Sequence, residues 1–287
     1  MRLEEQSRWI WEQYPSEYLD IAVFVTDLGD LTAVMVLLSV LYWVVDRERS
    51  ALVVSYIVAG ASVVVLLKLG FGLGRPEVEI LAREYDQYGF PSGHAFTATV
   101  VYGGLLWTFG KHRNPVPALG TAGLIAAIAL SRVVIGVHYL ADVIAGVAVG
   151  VAFLVAMGRL TDREPRRGFA IGLLLGVPAV AVAFAAGAET SLALVALGTA
   201  LGGLVGTANL DAIPELRSRR EGLLVAVLGV AYLGGLSSLE STLLAIHPGL
   251  VAGLFAVLTA GILLAPLAVN RAVPGWVVGA APRGRRS

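Results

Sequence analysis

Three ionisable side chains interrupt the apolar stretch SRVVIGVHYLADVIAG, residues 131–146: Arg132, His138 and Asp142. His138 and Asp142 are four residues apart, so they share one face if this stretch is helical. A carboxylate that accepts the Nδ1–H of an imidazole fixes its tautomer and leaves the lone pair of Nε2 available for attack. The spacing makes His138 a candidate nucleophile and Asp142 its orienting partner.

The cations of the same sequence indicate which electrophile His138 would meet. Lys68, Arg75 and Arg132 would repel one another without an anion between them, and arginine forks and lysine charges both suit phosphate oxygens. Ser92 and Gly93 stand just before an apolar run, where Ser92 as an N-cap would direct free N–H groups toward an anion. These five residues predict a phosphate-binding site.

A second histidine, His94, precedes a different apolar run from the one that follows His138. It is placed to protonate a departing oxygen and then to activate water for a second step. A two-histidine, one-carboxylate metal site of His94, His138 and Asp142 is the alternative. Because three cations oppose a divalent ion in such a cluster, we expect no metal and no cofactor.

The composition places this chemistry in a membrane. Of 287 residues, 57% are hydrophobic and 15% are charged, and the mean hydropathy is +0.78. Soluble domains carry about 25% charged residues, so we predict an integral membrane protein, with no nucleic-acid partner. The absence of cysteine excludes disulfides and thiolate metal sites.

Apolar runs long enough to cross a bilayer, which takes about 20 helical residues, recur along the chain. They do not alternate as the strands of a barrel would. The sequence predicts an all-α, polytopic transmembrane bundle of nine spans: 25–45, 51–72, 92–109, 116–136, 138–158, 169–188, 191–209, 222–238 and 247–269. Residues 1–24 lack the pattern of a signal peptide, and their aromatic residues favour a segment at the membrane interface.

Basic residues are concentrated in every second loop, which the positive-inside rule places in the cytoplasm. They follow the odd-numbered spans: Arg47, Arg49, Lys111, Arg113, Arg159, Arg163, Arg166, Arg167, Arg217, Arg219, Arg220, Arg271, Arg283, Arg285 and Arg286. The N-terminus is then outside and the C-terminus inside. Four spans bring their ionisable residues to the outer surface, and such costly charges face a protein interior or a water-filled cavity.

The segment between Arg75 and the second motif adds two features to this outer surface. Gly70, Gly72 and Gly74 permit close helix packing, or a bend that returns Arg75 to the site. A charged loop follows, either as a partial lid or as an ordinary solvated loop; its residues are Glu77, Glu79, Arg83, Glu84 and Asp86.

Three motifs occur in order: Lys68-LGFGLG-Arg75-Pro76, Pro91-Ser92-Gly93-His94, and Ser131-Arg132-VVIGV-His138-YLA-Asp142. They match the patterns K-x6-R-P, P-S-G-H and S-R-x5-H-x3-D without a substitution. Residues 20–158 therefore resemble the type 2 phosphatidic acid phosphatase family, which shares its site with vanadium haloperoxidases and glucose-6-phosphatase.

The resemblance implies metal-independent dephosphorylation through a phosphohistidine, with His138 as nucleophile, Asp142 as its partner and His94 as general acid. Lys68, Arg75, Ser92, Gly93 and Arg132 would hold the phosphate. Together with the pattern of spans and charges, it divides the chain into an interfacial segment (1–24), a phosphatase-like core (25–158), a cytoplasmic linker (159–168), an additional helical block (169–269) and a basic cytoplasmic tail (270–287). The additional block and the outside N-terminus are more similar to the sphingosine-phosphate and glucose-6-phosphatase branches, which leaves the substrate open.

Three functions remain open from the sequence. The first is hydrolysis of a lipid phosphate, such as phosphatidate or a polyprenyl diphosphate, at the extracytoplasmic face of the cell membrane. The second is hydrolysis of a soluble phosphoester, and the third is anion binding or transport without chemistry. A nucleophile with an orienting acid and a separate proton donor favours an enzyme, since binding alone needs none of these. The oligomeric state is left open.

Overall fold

The computed structural model describes residues 2–77, 87–208, 210, 213, 214, 216 and 218–274. Within them the fold is all-α, and the only strand-like pairing is an isolated bridge between Gly74 and Tyr88. The helices are α1 Glu4–Gln13, α2 Leu19–Asp27, α3 Leu31–Val44, α4 Arg47–Phe71, α5 Gly93–Ala98, α6 Gly104–Thr108, α7 Pro115–Val134, α8 Leu140–Leu160, α9 Pro165–Ala185, α10 Ser191–Gly206, α11 Arg219–Ser237, α12 Glu240–Ile246 and α13 Gly249–Ala272. A π-helical turn, Thr99–Gly103, joins α5 to α6, and short 3-10 turns occupy Ser16–Tyr18 and Lys111–Arg113.

Five helices of the described part of the chain are long and apolar enough to cross a membrane: α4, α7, α8, α9 and α13. A sixth span results if Ser16–Asp27 and Leu31–Val44, which meet at a bend of 49°, are taken together. The expectation of nine spans is therefore not confirmed. Of the remaining candidates, α10 has only 16 residues and α11 begins with three consecutive charged residues. The orientation of the termini stays a prediction.

Local sequence signals set the ends of the helices that carry the site. Asp46 caps α4 by accepting a hydrogen bond from the backbone N–H of Arg49, and Asn114 caps α7 in the same way at Val116. Gly72, with φ of 60°, ends α4, and Gly136, with φ of 77°, lies just after α7. Because these positive angles suit glycine, the chain can turn sharply at both points, and the residues that follow return toward the ends of α4 and α7.

Close packing between α5 and α8 depends on two glycines spaced four residues apart. A Cβ atom at Gly146 would lie 2.6 Å from the carbonyl oxygen of Ser92, and one at Gly150 would lie 2.8 Å from Cβ of Thr99. Both distances are shorter than real contacts of a Cβ atom, so glycine is required for this approach of the two backbones. The spacing brings the first turn of α8 against the first turn of α5.

The additional block packs directly on the helices of the core. Two side chains of α3 donate hydrogen bonds to backbone carbonyl oxygens of α13. Trp43 Nε1 donates to the carbonyl oxygen of Ile262 at 2.9 Å, and the Tyr42 hydroxyl donates to the carbonyl oxygen of Leu263 at 2.9 Å. Within the block, Cβ atoms at Gly198 and Gly202 would lie about 2 Å from carbonyl oxygens of α13. Small residues therefore permit the close packing of α10 against α13.

An apolar cavity of about 470 Å³ lies between α3, α4, α10, α11 and α13. On α4 it is lined by Ile57, Val58 and Ala61, whereas Val64 of the same helix faces Gly93. The cavity and the polar cluster therefore lie on different faces of α4, and no residue of the three motifs lines the cavity.

Candidate active site

The three motifs converge at one end of the helix bundle. Lys68 lies in the last turn of α4, and Arg132 lies in the last turn of α7. Ser92 precedes α5 and Asp142 is in the first turn of α8, where the backbone N–H of Ser92 donates to the carbonyl oxygen of Asp142 at 3.0 Å. Since α4 and α7 end here while α5 and α8 begin here, residues from distant parts of the sequence meet in one buried cluster.

His138 is 1% exposed and lies in the turn between α7 and α8. Nη1 of Arg75 is 3.1 Å from Nε2 of His138, and the same Nη1 donates to the carbonyl oxygen of Val137 at 3.0 Å. An arginine fork can only donate, so Nε2 must accept and the proton of the neutral ring is on Nδ1. The structure thus gives His138 the tautomer that a nucleophilic Nε2 requires.

Asp142 is fully buried, and its carboxylate accepts hydrogen bonds at both oxygens. Oδ2 accepts from the backbone N–H of Tyr139 at 2.9 Å and from Nη2 of Arg2 at 2.6 Å, and Oδ1 accepts from Nε of Arg2 at 2.9 Å. Nδ1 of His138 is 3.5 Å from Oδ2 and has no hydrogen-bond partner among the described residues. The predicted pairing is therefore present as a close approach, with Asp142 shared between the histidine and an arginine that sequence reasoning did not include.

Burial lowers the pKa of His138 well below its usual 6.5, because a charged ring would lose its hydration. The positive charges of Arg75, Arg132 and Lys68, and then His94, act in the same direction. His138 is outside the helical spans, in a pocket whose field disfavours a further positive charge. An uncharged imidazole beside several cations can accept an anionic ligand next to a free nitrogen lone pair.

Ser92 and Gly93 have the local structure that the sequence predicts. Ser92 is the N-cap of α5, with its Oγ accepting from the backbone N–H of Ala95 at 3.4 Å, and Gly93 begins the helix. His94 follows in the first turn, where its ring lies near the break between α2 and α3: a Cβ atom at Gly29 would be 3.6 Å from Cδ2 of His94. All eight predicted site residues are within the described structure, whereas residues 79–86 of the charged loop and most of the basic tail lie outside it.

The N-terminal segment is part of this site, which sequence reasoning did not predict. Ser7 of α1 is buried and its Oγ accepts from the backbone N–H of Leu140 at 2.8 Å, while Trp11 Nε1 donates to the carbonyl oxygen of Val133. Arg2 reaches Asp142 across 140 positions of sequence. No spacing or periodicity links a residue so near the start of the chain to the motifs, so the sequence offered no signal for it.

Comparison with known proteins agrees with the motifs. The family model described as the PAP2 superfamily matches residues 49–166. Phosphatidylglycerophosphatase B of Bacillus subtilis (strain 168) is 35% identical over 82 residues. The alignment covers 26% of this chain and 40% of the relative, so the chain spans less than half of the relative's length. No solved structure matches the chain significantly. The predicted resemblance is confirmed: the PAP2 superfamily model matches residues 49–166, which contain all eight predicted site residues.

Proposed function

We propose that this protein hydrolyses the phosphate monoester or diphosphate of a membrane lipid, through a phosphohistidine intermediate and without a metal ion. The observation that carries the proposal is the 3.1 Å distance between Nε2 of His138 and Nη1 of Arg75. A phosphoryl group bound by the Arg75 fork would therefore lie directly beside the nucleophilic nitrogen.

The reaction proceeds in two balanced steps. Nε2 of His138 attacks phosphorus, the bond from phosphorus to the lipid oxygen breaks, and His94 gives that oxygen its proton. His94 then takes a proton from water, the resulting hydroxide attacks the phosphohistidine, and inorganic phosphate leaves as Nε2 recovers its lone pair. Arg75, Arg132 and Lys68 stabilise the charge that develops on the equatorial oxygens in both steps.

Asp142 supports metal independence as well as orientation. Its two oxygens already accept from the guanidinium of Arg2 and the backbone N–H of Tyr139. A divalent ion coordinated by the same oxygens would compete with that guanidinium and would lie among Arg75, Arg132 and Lys68. Electrostatic stabilisation by these fixed cations can supply what a Lewis acid would otherwise supply.

The site faces the extracytoplasmic side of a cell membrane in this proposal. Arg47 and Arg49 are at the end of α4 opposite to Lys68, and Arg159 and Arg163 are at the end of α8 opposite to Asp142. The guanidinium of Arg49 lies 5.2 Å from the ring centroid of Phe109, which brings the end of α6 to this same basic end. Basic ends are retained in the cytoplasm, so the opposite end is directed outward.

A lipid substrate suits the depth of the site. Lys68 and Arg132 lie within one turn of the ends of membrane-length helices, where a headgroup can enter while its hydrocarbon chains stay in the bilayer. The relative from Bacillus subtilis is named for a lipid phosphate, phosphatidylglycerophosphate. Phosphatidate and polyprenyl diphosphates present the same terminal phosphoryl group.

The experiment is phosphate release by the purified protein in detergent, with EDTA present, from phosphatidate, phosphatidylglycerophosphate, a polyprenyl diphosphate and a short water-soluble phosphoester. Lipid substrates should be hydrolysed and His138→Ala should be inactive. His112→Ala, which alters an exposed histidine beyond the end of α6, is the matched control. Equal rates for wild type and His138→Ala would overturn the proposal, and faster hydrolysis of the soluble ester would replace its lipid substrate with a soluble one.

Anion binding without chemistry predicts a different result in one direct measurement. Brief incubation with a labelled lipid phosphate followed by denaturation should leave a label on His138 that is stable to base and released by acid. A protein that binds phosphate tightly but never acquires this label is a binding protein or a transporter.

A further inference from the structure

The guanidinium of Arg2 connects two separate parts of the site. Its Nε and Nη2 donate to Oδ1 and Oδ2 of Asp142, at 2.9 and 2.6 Å, in a bidentate pair. Its Nη1 donates to the carbonyl oxygen of Gly74 at 2.6 Å. Gly74 directly precedes Arg75, so one side chain holds both the partner of His138 and the backbone that presents the phosphate-binding Arg75.

Further contacts fix the direction of the Arg2 fork. Its guanidinium carbon lies 4.8 Å from the ring centroid of Tyr139 and 6.0 Å from that of Phe90. The carbonyl oxygen of Arg2 accepts from the backbone N–H of Ala141 at 3.4 Å. The two aromatic rings and the backbone contact to α8 restrict the orientation of the Arg2 guanidinium.

Helix α1 holds Arg2 in place through contacts to the ends of α7 and α8. Ser7 binds the backbone N–H of Leu140, the first residue of α8, and Trp11 binds the carbonyl oxygen of Val133 near the end of α7. The rings of Trp11 and Tyr139 are 6.1 Å apart. The segment from Arg2 to Trp11 therefore lies across the turn that contains His138.

We propose that Arg2 is a positioning residue of the active site, which keeps the carboxylate of Asp142 charged and directed toward His138 and ties the Arg75 loop to it. A fully buried carboxylate needs a counter-charge, and the other described donor to Asp142 is the single N–H of Tyr139. The positive charge of Arg75 also acts on Asp142, and the ring of His138 lies 3.5 Å from its Oδ2, but both of these groups have roles in the proposed reaction. Arg2 donates to protein atoms with all three of its nitrogens, so it acts on the reaction through Asp142 and Gly74.

This role, which rests on the proposed function, predicts an effect on turnover more than on substrate affinity. Without Arg2 the carboxylate loses its bidentate partner and His138 is less well oriented when it becomes positively charged on attack. We expect kcat to fall by about 10- to 100-fold, the loss that accompanies removal of a strong charge-assisted hydrogen bond. KM should change little, because the residues that would hold phosphate remain.

The test compares Arg2→Ala and Arg2→Lys with Arg8→Ala, which removes the same charge from an exposed position on α1. An affinity tag at the C-terminus keeps the residues around Arg2 native. Arg2→Lys should not restore kcat, because an ammonium group cannot hold both oxygens of Asp142 and reach Gly74. Added guanidinium ion should raise the activity of Arg2→Ala, whereas ammonium ion at the same concentration should not.

Thermal melting and size-exclusion elution of the variants separate positioning from a folding defect. Wild-type kcat in Arg2→Ala, or a higher kcat, would overturn the inference; a higher kcat would mean that Arg2 competes with His138 for Asp142. An equal loss in Arg8→Ala, or a loss without rescue by guanidinium in a destabilised protein, would overturn it as well. The proposed function is judged separately, by the activity of wild type over His138→Ala.

Discussion

Nη1 of Arg75 donates to Nε2 of His138 across 3.1 Å, so the proposed phosphate-binding cation and the proposed nucleophile are hydrogen-bonded to each other. The contact fixes the neutral ring with its proton on Nδ1, toward Asp142. A phosphate oxygen that draws the fork of Arg75 away also releases the lone pair that attacks. In the proposed mechanism, substrate binding therefore also exposes the nucleophile.

The lowered pKa of His138 sets the acidic limb of the pH profile. In the proposed mechanism His138 attacks only as a neutral ring, and burial with the charges of Arg75 and Arg132 keeps it neutral to lower pH than an ordinary histidine. We expect kcat/KM to hold as pH falls through 6.5 and to decline only at lower pH. Measurement of kcat/KM across the acidic range checks this, and a decline centred at or above 6.5 would contradict it.

Asp142→Asn should leave the fold intact and lower kcat by about 10³- to 10⁴-fold, as in other histidine–carboxylate pairs. An amide has nearly the same shape, but it does not enforce the tautomer or stabilise the imidazolium formed during attack. Steady-state kinetics and a melting curve measure the two effects. Asp20→Asn, an exposed carboxylate on α2, is the control, and near-normal turnover of Asp142→Asn would remove Asp142 from the mechanism.

Arg132→Lys tests whether geometry or charge matters at the end of α7. Arg132 is 1% exposed, so the substitution keeps the charge in a buried place but loses the planar fork. We expect kcat/KM to fall by roughly 10- to 100-fold. Arg49→Lys makes the same change at the opposite end of the bundle and should be neutral; equal activity of the two variants would show that a point charge suffices at residue 132.

Gly146→Ala probes the approach of α8 to α5. The new Cβ would lie 2.6 Å from the carbonyl oxygen of Ser92, so the backbones must move apart, and the bond from Ser92 N–H to the carbonyl oxygen of Asp142 lengthens. We expect a loss of stability of about 1–3 kcal/mol together with reduced kcat. Gly123→Ala, whose Cβ meets nothing within 4 Å, should be neutral or slightly stabilising. Similar melting temperatures for the two variants would contradict the packing argument.

Phosphate binding offers a further check that does not depend on turnover. Inorganic phosphate or vanadate should raise the melting temperature of the protein, because it binds the folded site and adds favourable charge between Lys68, Arg75 and Arg132. The shift should be retained in His138→Ala and reduced in Arg75→Gln. Identical shifts in wild type and Arg75→Gln would place the bound anion elsewhere.

The sequence alone predicted the eight candidate site residues and their chemical types, and it predicted the all-helical class that the structure confirms. Motif spacing is local information. Ser92 before an apolar run predicts an N-cap, which the structure shows. The glycines before Arg75 predict either close helix packing or a bend, and the positive φ of Gly72 gives a bend. The number of spans could not be obtained in this way. Hydropathy does not reveal that the first apolar region bends by 49° between α2 and α3, or how short α10 is.

Only the tertiary structure shows which cation pairs with the carboxylate of Asp142. Sequence spacing gave its proximity to His138, but the carboxylate binds most closely to Arg2, which is 140 residues away and belongs to no motif. The physical reason is that a buried charge requires a partner, and which chain segment can supply one depends on how α1 packs across the ends of α7 and α8. Such a contact between distant segments is a property of the folded chain, and no local pattern encodes it.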